Sequence, residues 1–440
     1  MTRIELALLS FIVLLLMIFL RVPIGLAMFL VGLFGTVIVT GTWVPILATM
    51  KTLTYDVFSS HSLAIVPLFL LMGQFATKGG MSRALFSAAA AFLGHRRGGI
   101  AMASVGACGG FGAICGSSLA TAATMGQVAL PEMRRYGYSG ALATGSLAAG
   151  GTLGILIPPS IILVIYAILA EQNIIKMFIA AIIPGILAAI GYMAAIAIYV
   201  RVFPGAAQVK ERASAHERNR AILEVWPVVV IFLLVIGGIY LGWFTPNEGA
   251  AVGAAGTGLL ALVSGQLNLR GLAECILGTA AATAMIFFIV FGAQVYNTFL
   301  AYTQLTQFAA DWVAASGLSP WTVLALILLT YLVFGCVMDS LSMILLTVPI
   351  FFPLIMTLDF GLGPEETALW FGVLILIVVE LGLITPPVGM NMFIINSMAP
   401  GVKMQETYRG VVPFLIAEIF RVALIAAVPG IALFLPRLLY

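Results

Sequence analysis

Long apolar runs, cut by short polar punctuation, set the reading of this chain. Residues 22–50, 98–131, 136–170, 177–200 and 275–310 carry no charge, and 57–77 is interrupted only by His61, taken as neutral. A membrane-crossing helix needs about 20 residues at about 1.5 Å each. The longest runs therefore hold more than one pass or a hairpin that turns back. Dividing the chain this way predicts about ten to thirteen crossings and two hairpins. Pro23-Ile24-Gly25 interrupts the first 50 residues, and Pro67 is expected to bend a helix over 55–75 by removing one backbone bond. At the N-terminus the apolar stretch 6–20 is followed by Arg21-Val22-Pro23 rather than a small-residue cleavage site, so an uncleaved first helix is expected.

Residues 109–160 depart from the pattern of plain spanning helix. They read GGFGAICGSSLATAATMGQVALPEM and, after a short polar turn, end in GTLGILIPPS. Glycine, serine and proline at membrane depth free backbone N–H and C=O groups that lipid cannot satisfy, so such breaks survive only inside protein or around a cavity. The pattern returns as FGCVMDSLSMILLTVPIFFPL over 334–354 and GLITPPVGMN over 382–391. Gly112 to Gly335 is an offset of 335 − 112 = 223, which also carries Ser117 onto Ser340 and Thr124 onto Thr347. Pro158-Pro159 to Pro386-Pro387 is an offset of 386 − 158 = 228. Two broken apolar units in corresponding places are a sequence pointer to a transporter's binding site. The first hairpin tip is placed at Gly116-Ser117-Ser118 and the first helix break around Thr152 to Ser160. The second tip falls at Asp339, with Pro349 and Pro353 breaking the returning arm, and the second helix break at Thr385-Pro386-Pro387.

Composition narrows the class. Hydrophobic residues are 62%, charged residues 8% and mean hydropathy is +1.16, against roughly 25% charged in soluble domains. The expected fold is an all-α polytopic membrane protein. The hydrophilic stretch 201–220 carries Arg201, Lys210, Arg212, Arg218 and Arg220 against Glu211 and Glu217, a balance of 5 − 2 = +3. Its positive charge marks it as a cytoplasmic linker. It divides a first repeat, 1–200 (scaffold helices 1–95, hairpin and broken helix 98–170), from a second, 221–440 (scaffold helices 225–320, hairpin and broken helix 334–398). An odd number of spans on each side would invert one repeat relative to the other. The four cysteines have no C-x-x-C spacing and the three histidines are scattered, so neither suggests a metal site. No ATP-binding P-loop sequence is present.

At a hairpin tip beside a broken helix, helix N-termini suit anions, whereas freed carbonyls and C-terminal ends suit a small cation. Ser117, Ser118 and Thr152 supply hydroxyls in the first half; Asp339, Ser340, Ser342 and Thr385 supply oxygens in the second. An oxygen-only set suits a hard ion such as Na⁺, while the same small residues also serve close helix packing. Asp339 reads as an ion or proton ligand, because a carboxylate in an apolar run needs a partner, or as an N-cap of the hairpin helix. Glu380 and Glu248 pose the same question, each at a possible helix end near water. Asn391 offers its amide to substrate or to backbone. Glu418 and Arg421, spaced i, i+3, read as a stabilised helix face. An intramembrane protease is disfavoured: no histidine lies in an apolar segment able to meet Ser117, and Asp339 with Glu380 makes a poor aspartyl pair.

The motifs LAIVPLFLLMGQFATKGG, GSSLATAATMG, LPEMRRYGY, GTLGILIPPSIILVIYAI, IIPGIL, FTPNEGAAV, MDSLSMILLTVPIFFP and GLITPPVGMNMF, in this order, resemble the large membrane (permease) subunit of tripartite ATP-independent periplasmic (TRAP) transporters, the DctM family. The resemblance runs from about residue 5 to 435. It implies two inverted-topology repeats, each with a re-entrant helical hairpin and a broken transmembrane helix, in an elevator-type architecture of the ion-transporter superfamily. It implies Na⁺-coupled uptake of a carboxylate, such as a dicarboxylate, sialic acid or another sugar acid, across the bacterial inner membrane, with two or more Na⁺ as coupling ions. The implied partners are a separate small four-helix membrane subunit of DctQ type, a periplasmic binding protein of DctP type and the lipid bilayer, with no nucleic acid. Carried over by residue, Gly116, Ser117, Ser118 and the loop from Thr152 to Pro159, with Gly154 and Pro158, fall on the first ion site. Asp339 and Ser340, with Thr385, Pro386 and Pro387, fall on the second. From the residues themselves, Ser342 is added to the second ion site, and Ser118 and Asn391 are assigned to substrate. A stand-alone ion-coupled carboxylate carrier or exchanger would share the same repeats and breaks.

Overall fold

Apolar sequence far from water satisfies its backbone only within helices, and the chain does so almost throughout. The computed structural model describes residues 2–440, which form twenty α-helices and two short 3₁₀ turns. The first half holds α1 (Arg3–Phe19), α2 (Ile24–Thr40), α3 (Val44–Phe58), α4 (Ile65–Lys78) and α5 (Met81–Leu93). These lead into a hairpin of α6 (Gly99–Cys115) and α7 (Ser118–Arg135), a helix broken into α8 (Gly140–Leu156) and α9 (Ile161–Leu169), and the long α10 (Ile174–Val202). The second half repeats the order. It comprises α11 (Ala215–Tyr240), α12 (Pro246–Val263), α13 (Leu269–Thr303) and α14 (Leu305–Ser316), then a hairpin of α15 (Pro320–Gly335) and α16 (Ser340–Met356). A broken pair α17 (Pro364–Gly382) and α18 (Met390–Ser397) follows, with α19 (Met404–Ala427) and α20 (Gly430–Leu439) closing the chain.

The repeat is visible in which helices touch. In the outer layer α2 packs on α13, and its counterpart α12 packs on α4. Around the centre, α7 meets α18 while α16 meets α9, and α19 lies on α8 while α10 lies on α17. Each contact therefore has a partner in which the halves exchange roles. The two helices enclosed by these contacts are α8 and α17. Every residue from Leu142 to Leu156 is buried, as is every residue from Thr367 to Gly382, the expectation for helices that are apolar on all sides.

They fill the centre differently. α8 is built from small residues, so neighbouring backbones approach it closely: a Cβ on Gly145 would collide with the backbone of Gly410 on α19. α17 is bulky and finds polar partners for its neighbours. Trp370 Nε1 donates to the Ile425 carbonyl at 2.9 Å, and Tyr166 on α9 donates to the Ala368 carbonyl at 2.6 Å.

Several expectations are corrected. The bend near Pro67 lies instead at 59–61, where α3 and the turn leading into α4 meet at 47°. Pro67 sits in the first turn of α4, where its missing N–H has no ladder bond to lose. Pro349 and Pro353 do not break the returning arm; both lie inside continuous α16. Spaced four apart, they remove ladder bonds from one side of that helix only. Four helices (α10, α11, α13 and α19) are each long and apolar enough to cross a membrane alone, and two bent pairs qualify jointly. The further apolar helices α2, α6, α15 and α16 are shorter, 16 or 17 residues each. Between α10 and α11 the connection holds a 3₁₀ turn, Pro204–Ala206, and is tied down: the Ala206 carbonyl accepts from the Ser139 N–H at 2.9 Å, and the Lys210 N–H donates to the Gly94 carbonyl at 3.3 Å.

Candidate functional site

Both hairpin tips come to the centre of the molecule, and local capping shapes each. At the first, α6 stops where Gly116 takes φ +64° and its N–H closes on the Gly112 carbonyl at 2.7 Å. Glycine reaches that left-handed conformation without steric cost. Ser117 then caps α7 by accepting the Ala120 N–H at 3.4 Å. At the second tip Asp339 performs the same task for α16. Its carboxylate accepts the Ser342 N–H at 3.0 Å and the Ser342 hydroxyl at 2.5 Å. The cap expected as one of two readings of Asp339 is thus in place. Aligned by their caps, the hairpins pair Ser117 with Asp339 and Ser118 with Ser340, an offset of 339 − 117 = 222. The sequence register of 223 holds for the first arms, where Gly112 and Gly335 correspond.

Those two glycines show why the arms need them. A Cβ on Gly112 would collide with the backbone of Gly154 near the end of α8, and one on Gly382, the last residue of α17, would collide with the backbone of Gly335, the last residue of α15. In both halves, then, the outgoing hairpin arm and the broken helix touch backbone to backbone just before the chain comes undone. The first break spans 157–160 and restarts when Ser160 caps α9, accepting the Leu163 N–H at 3.4 Å. Thr152 and Gly154, expected in the break, are still helical. Gly116 faces the break: a Cβ there would lie 3.5 Å from the Pro159 carbonyl. The second break spans 383–389 and is bound to its own hairpin, with the Gly389 N–H donating to the Cys336 carbonyl at 3.2 Å. Tyr408 donates to the Pro387 carbonyl at 2.7 Å, and the Thr385 hydroxyl folds back on Leu381 at 2.6 Å. Pro158-Pro159 and Pro386-Pro387 both carry cis bonds. The first pair is buried, whereas Pro386 and Pro387 are exposed.

At the first junction Gly116 lies beside Pro159 and Gly154 beside the Ser117 carbonyl, with Pro158 in the break itself; at the second, Asp339 holds Ser342 and is followed directly by Ser340, while the bonds of Thr385 and Pro387 run to Leu381 and Tyr408 rather than to the tip. Thr152 stands apart: its hydroxyl bonds the Ala149 carbonyl at 2.7 Å and the Tyr192 hydroxyl of α10 at 2.9 Å. Asn391 belongs to the second break by sequence but lies against the first half, where its amide donates to the Ala148 carbonyl of α8 at 3.3 Å. Its Oδ1 is buried without a partner, as is the hydroxyl of Thr121 on α7. Thr121 Oγ1 and the Ser117 carbonyl border Gly154, where a Cβ would lie 2.5 Å and 2.9 Å from them. Buried orphan oxygens are expensive, and here they are hydroxyl and amide oxygens, the donors a hard cation takes. Among the described residues no group of three or more His, Cys, Asp or Glu side chains could hold a metal ion.

Glu380 is the residue whose place sequence reasoning misjudged. It is not at a helix end near water but 1% exposed near the end of α17. The Ser118 hydroxyl donates to its Oε2, and the Ser340 hydroxyl donates to its Oε1 at 2.8 Å. A signal was present, because 380 − 152 = 228 makes Glu380 the repeat counterpart of Thr152. Glu418 and Arg421 form the i, i+3 pair expected of them, on a buried helix face. They are 2% and 4% exposed, ion-paired to each other, and Arg421 also donates to the Pro184 carbonyl of α10 at 2.8 Å. Glu248 sits in an N-terminal capping box with Thr245.

Comparison with known proteins agrees with this architecture. Residues 11–431 match the family model described as the DctM component of the tripartite ATP-independent periplasmic transporter. The C4-dicarboxylate TRAP transporter large permease protein DctM of Pseudomonas aeruginosa is 36% identical over 87% of this chain and 88% of its own length. The sialic acid TRAP transporter large permease protein SiaM of Vibrio cholerae is 30% identical over 96% of each chain. Among solved structures, the Alcanivorax borkumensis YdaH transporter, described as having an unusual topology, aligns with a TM-score of 0.63 at 16% identity, covering 87% of this chain and 88% of that one.

Proposed function

Since the chain belongs to the DctM family of tripartite ATP-independent periplasmic transporters, as the large permease component and a multi-pass membrane protein, we propose that it carries out Na⁺-coupled uptake of a carboxylate substrate across the bacterial inner membrane. The observation that carries this reading is the meeting of two hairpin tips and two broken helices at one buried centre, with unpaired oxygens beside the first break. Na⁺ enters as cargo. The first site would draw on Gly116, Ser117, Gly154, Pro158 and the orphan hydroxyl of Thr121, and the second on Asp339, Ser340, Ser342, Thr385 and Pro387. Thr152 is the weakest member of the first set because Tyr192 already holds its hydroxyl.

Substrate would meet the hairpin tips, where helix N-termini favour anions, with Asn391 offering a buried amide. The substrates for which the two relatives are named, a C4-dicarboxylate and sialic acid, are both carboxylates and support that class. Alternating access would follow an elevator motion in which hairpins and broken helices move together against the outer helices α2, α4, α12 and α13. The capturing protein would be of DctP type and the second membrane component of DctQ type.

Reconstitution tests the whole reading. Proteoliposomes containing both membrane components, given a carboxylate-loaded binding protein, should take up substrate only under an inward Na⁺ gradient. Uptake indifferent to that gradient would defeat Na⁺ coupling. Full uptake without the binding protein would instead favour a stand-alone carrier.

A further inference from the structure

Two carboxylates are prominent in the buried interior, and they are treated differently. Glu418 has Arg421 beside it. Glu380 has no Lys, Arg or His ion-pair partner among the described residues, and its hydrogen bonds come from two serine hydroxyls. Each serine opens a helix: Ser118 is the first residue of α7 and Ser340 the first of α16. The carboxylate therefore lies beside two helix N-termini, each carrying about half a positive charge. Both helix ends approach its oxygens with no cationic side chain among its hydrogen-bond partners. The serines come from different halves of the chain, 262 and 40 residues from Glu380 in sequence, and each bonds a different carboxylate oxygen. Neither tip can leave alone without stripping a buried carboxylate of a donor, which makes separate release costly.

We propose that Glu380 is a positioning residue, a clasp whose single carboxylate holds both hairpin tips and couples their opening. The transport consequence rests on the reading of the chain as an elevator carrier, but the clasp itself does not. Its occupants are the protein's own serines, and it sets the geometry of both junctions from one position on α17.

Amide hydrogen exchange on the full chain in lipid nanodiscs tests this without any transport assay, so failure of Na⁺-driven uptake and failure of the clasp remain separate results. Glu380→Gln replaces one carboxyl oxygen by an amide nitrogen and so removes one acceptor. Exchange should then quicken by about tenfold, the worth of one hydrogen bond to a buried group, at both 116–121 and 338–343. The outer helices α4 and α12 should be unchanged. Ser118→Ala should quicken its own tip in the otherwise native chain and add little in the Glu380→Gln background. Faster exchange at one tip only in Glu380→Gln, or additive effects of Glu380→Gln and Ser118→Ala, would overturn the clasp. Should Glu380→Gln misfold, the Ser118→Ala/Ser340→Ala pair keeps the carboxylate and must loosen both tips; native exchange at either tip would overturn it equally.

Discussion

Asp339 is where two physical roles can be separated by a pair of substitutions. Its carboxylate ties down the start of α16 through the Ser342 N–H at 3.0 Å and the Ser342 hydroxyl at 2.5 Å. Removing such a cap costs about 1–2 kcal/mol, so Asp339→Ala should reduce the population of the formed tip by about 5- to 30-fold. Asparagine caps about as well as aspartate, so Asp339→Asn should keep the tip formed. The cation role predicts the opposite contrast. Two unit charges about 4 Å apart at an effective dielectric of about 20 exchange about 4 kcal/mol. Replacing the carboxylate by a neutral amide should therefore raise the half-saturating Na⁺ concentration by at least about tenfold, which takes about 1.4 kcal/mol.

Thermal melts of the purified chain across a Na⁺ series, followed by Na⁺-dependent uptake, read both effects. The expected outcome is a lowered melt without Na⁺ for Asp339→Ala alone, and a weakened response to Na⁺ for both variants. An Asp339→Asn protein with native melting and a native Na⁺ response would leave Asp339 as a helix cap and remove it from the second ion site.

Gly154→Ala places a methyl against the Ser117 carbonyl and the Oγ1 and Cβ of Thr121. It should destabilise by about 2–3 kcal/mol, the upper part of the range for overpacking, because backbone cannot swing aside; Gly191→Ala, whose Cβ would meet only Ala417 at 3.9 Å, should melt like the native chain. Glu418→Gln leaves Arg421 buried and charged without its partner and should cost about 3–5 kcal/mol, whereas a loss below 1 kcal/mol in a denaturation series would show that the Pro184 carbonyl and other polar groups suffice. Tyr192→Phe removes the hydroxyl bonded to Thr152 and should leave the Na⁺ dependence of uptake unchanged. A raised Na⁺ requirement in that variant would return Thr152 to the first ion site.

What could be read in the chain depended on the range of the interaction. Helix interruptions are local: a glycine free to take φ +64° at Gly116, or a Pro-Pro pair that cannot donate to a ladder, leaves a mark where it acts. So both hairpin tips and both breaks were legible, and so was their duplication. Proline was over-read because its effect depends on position within a helix. Pro67 in a first turn costs nothing, and Pro349 with Pro353 share one face of α16. Burial was not legible at all. Glu418 with Arg421 has the spacing of an exposed i, i+3 pair, and only the packing of α19 against α10 puts it in the interior. Nor could the bond from Ser118 to Glu380 be foreseen, because it joins opposite halves of the chain.

The same comparison shows where the repeat stops being symmetrical. Gly112 with Gly154 and Gly335 with Gly382 build the same backbone contact twice, so the frame of each junction is duplicated faithfully. The residues two positions inside those broken-helix glycines are Thr152 and Glu380. Thr152 turns to Tyr192 on α10, away from the tips, while Glu380 receives a serine from each of them. The breaks diverge as well: Pro158-Pro159 is enclosed by protein, and Pro386-Pro387 is exposed. A carboxylate on both sides would place two acidic groups at one buried centre, where each disfavours the charged form of the other. A single carboxylate, supplied by α17, can be shared by both tips. The duplicated glycines therefore build the two junctions, and the unduplicated Glu380 is what joins them into one site.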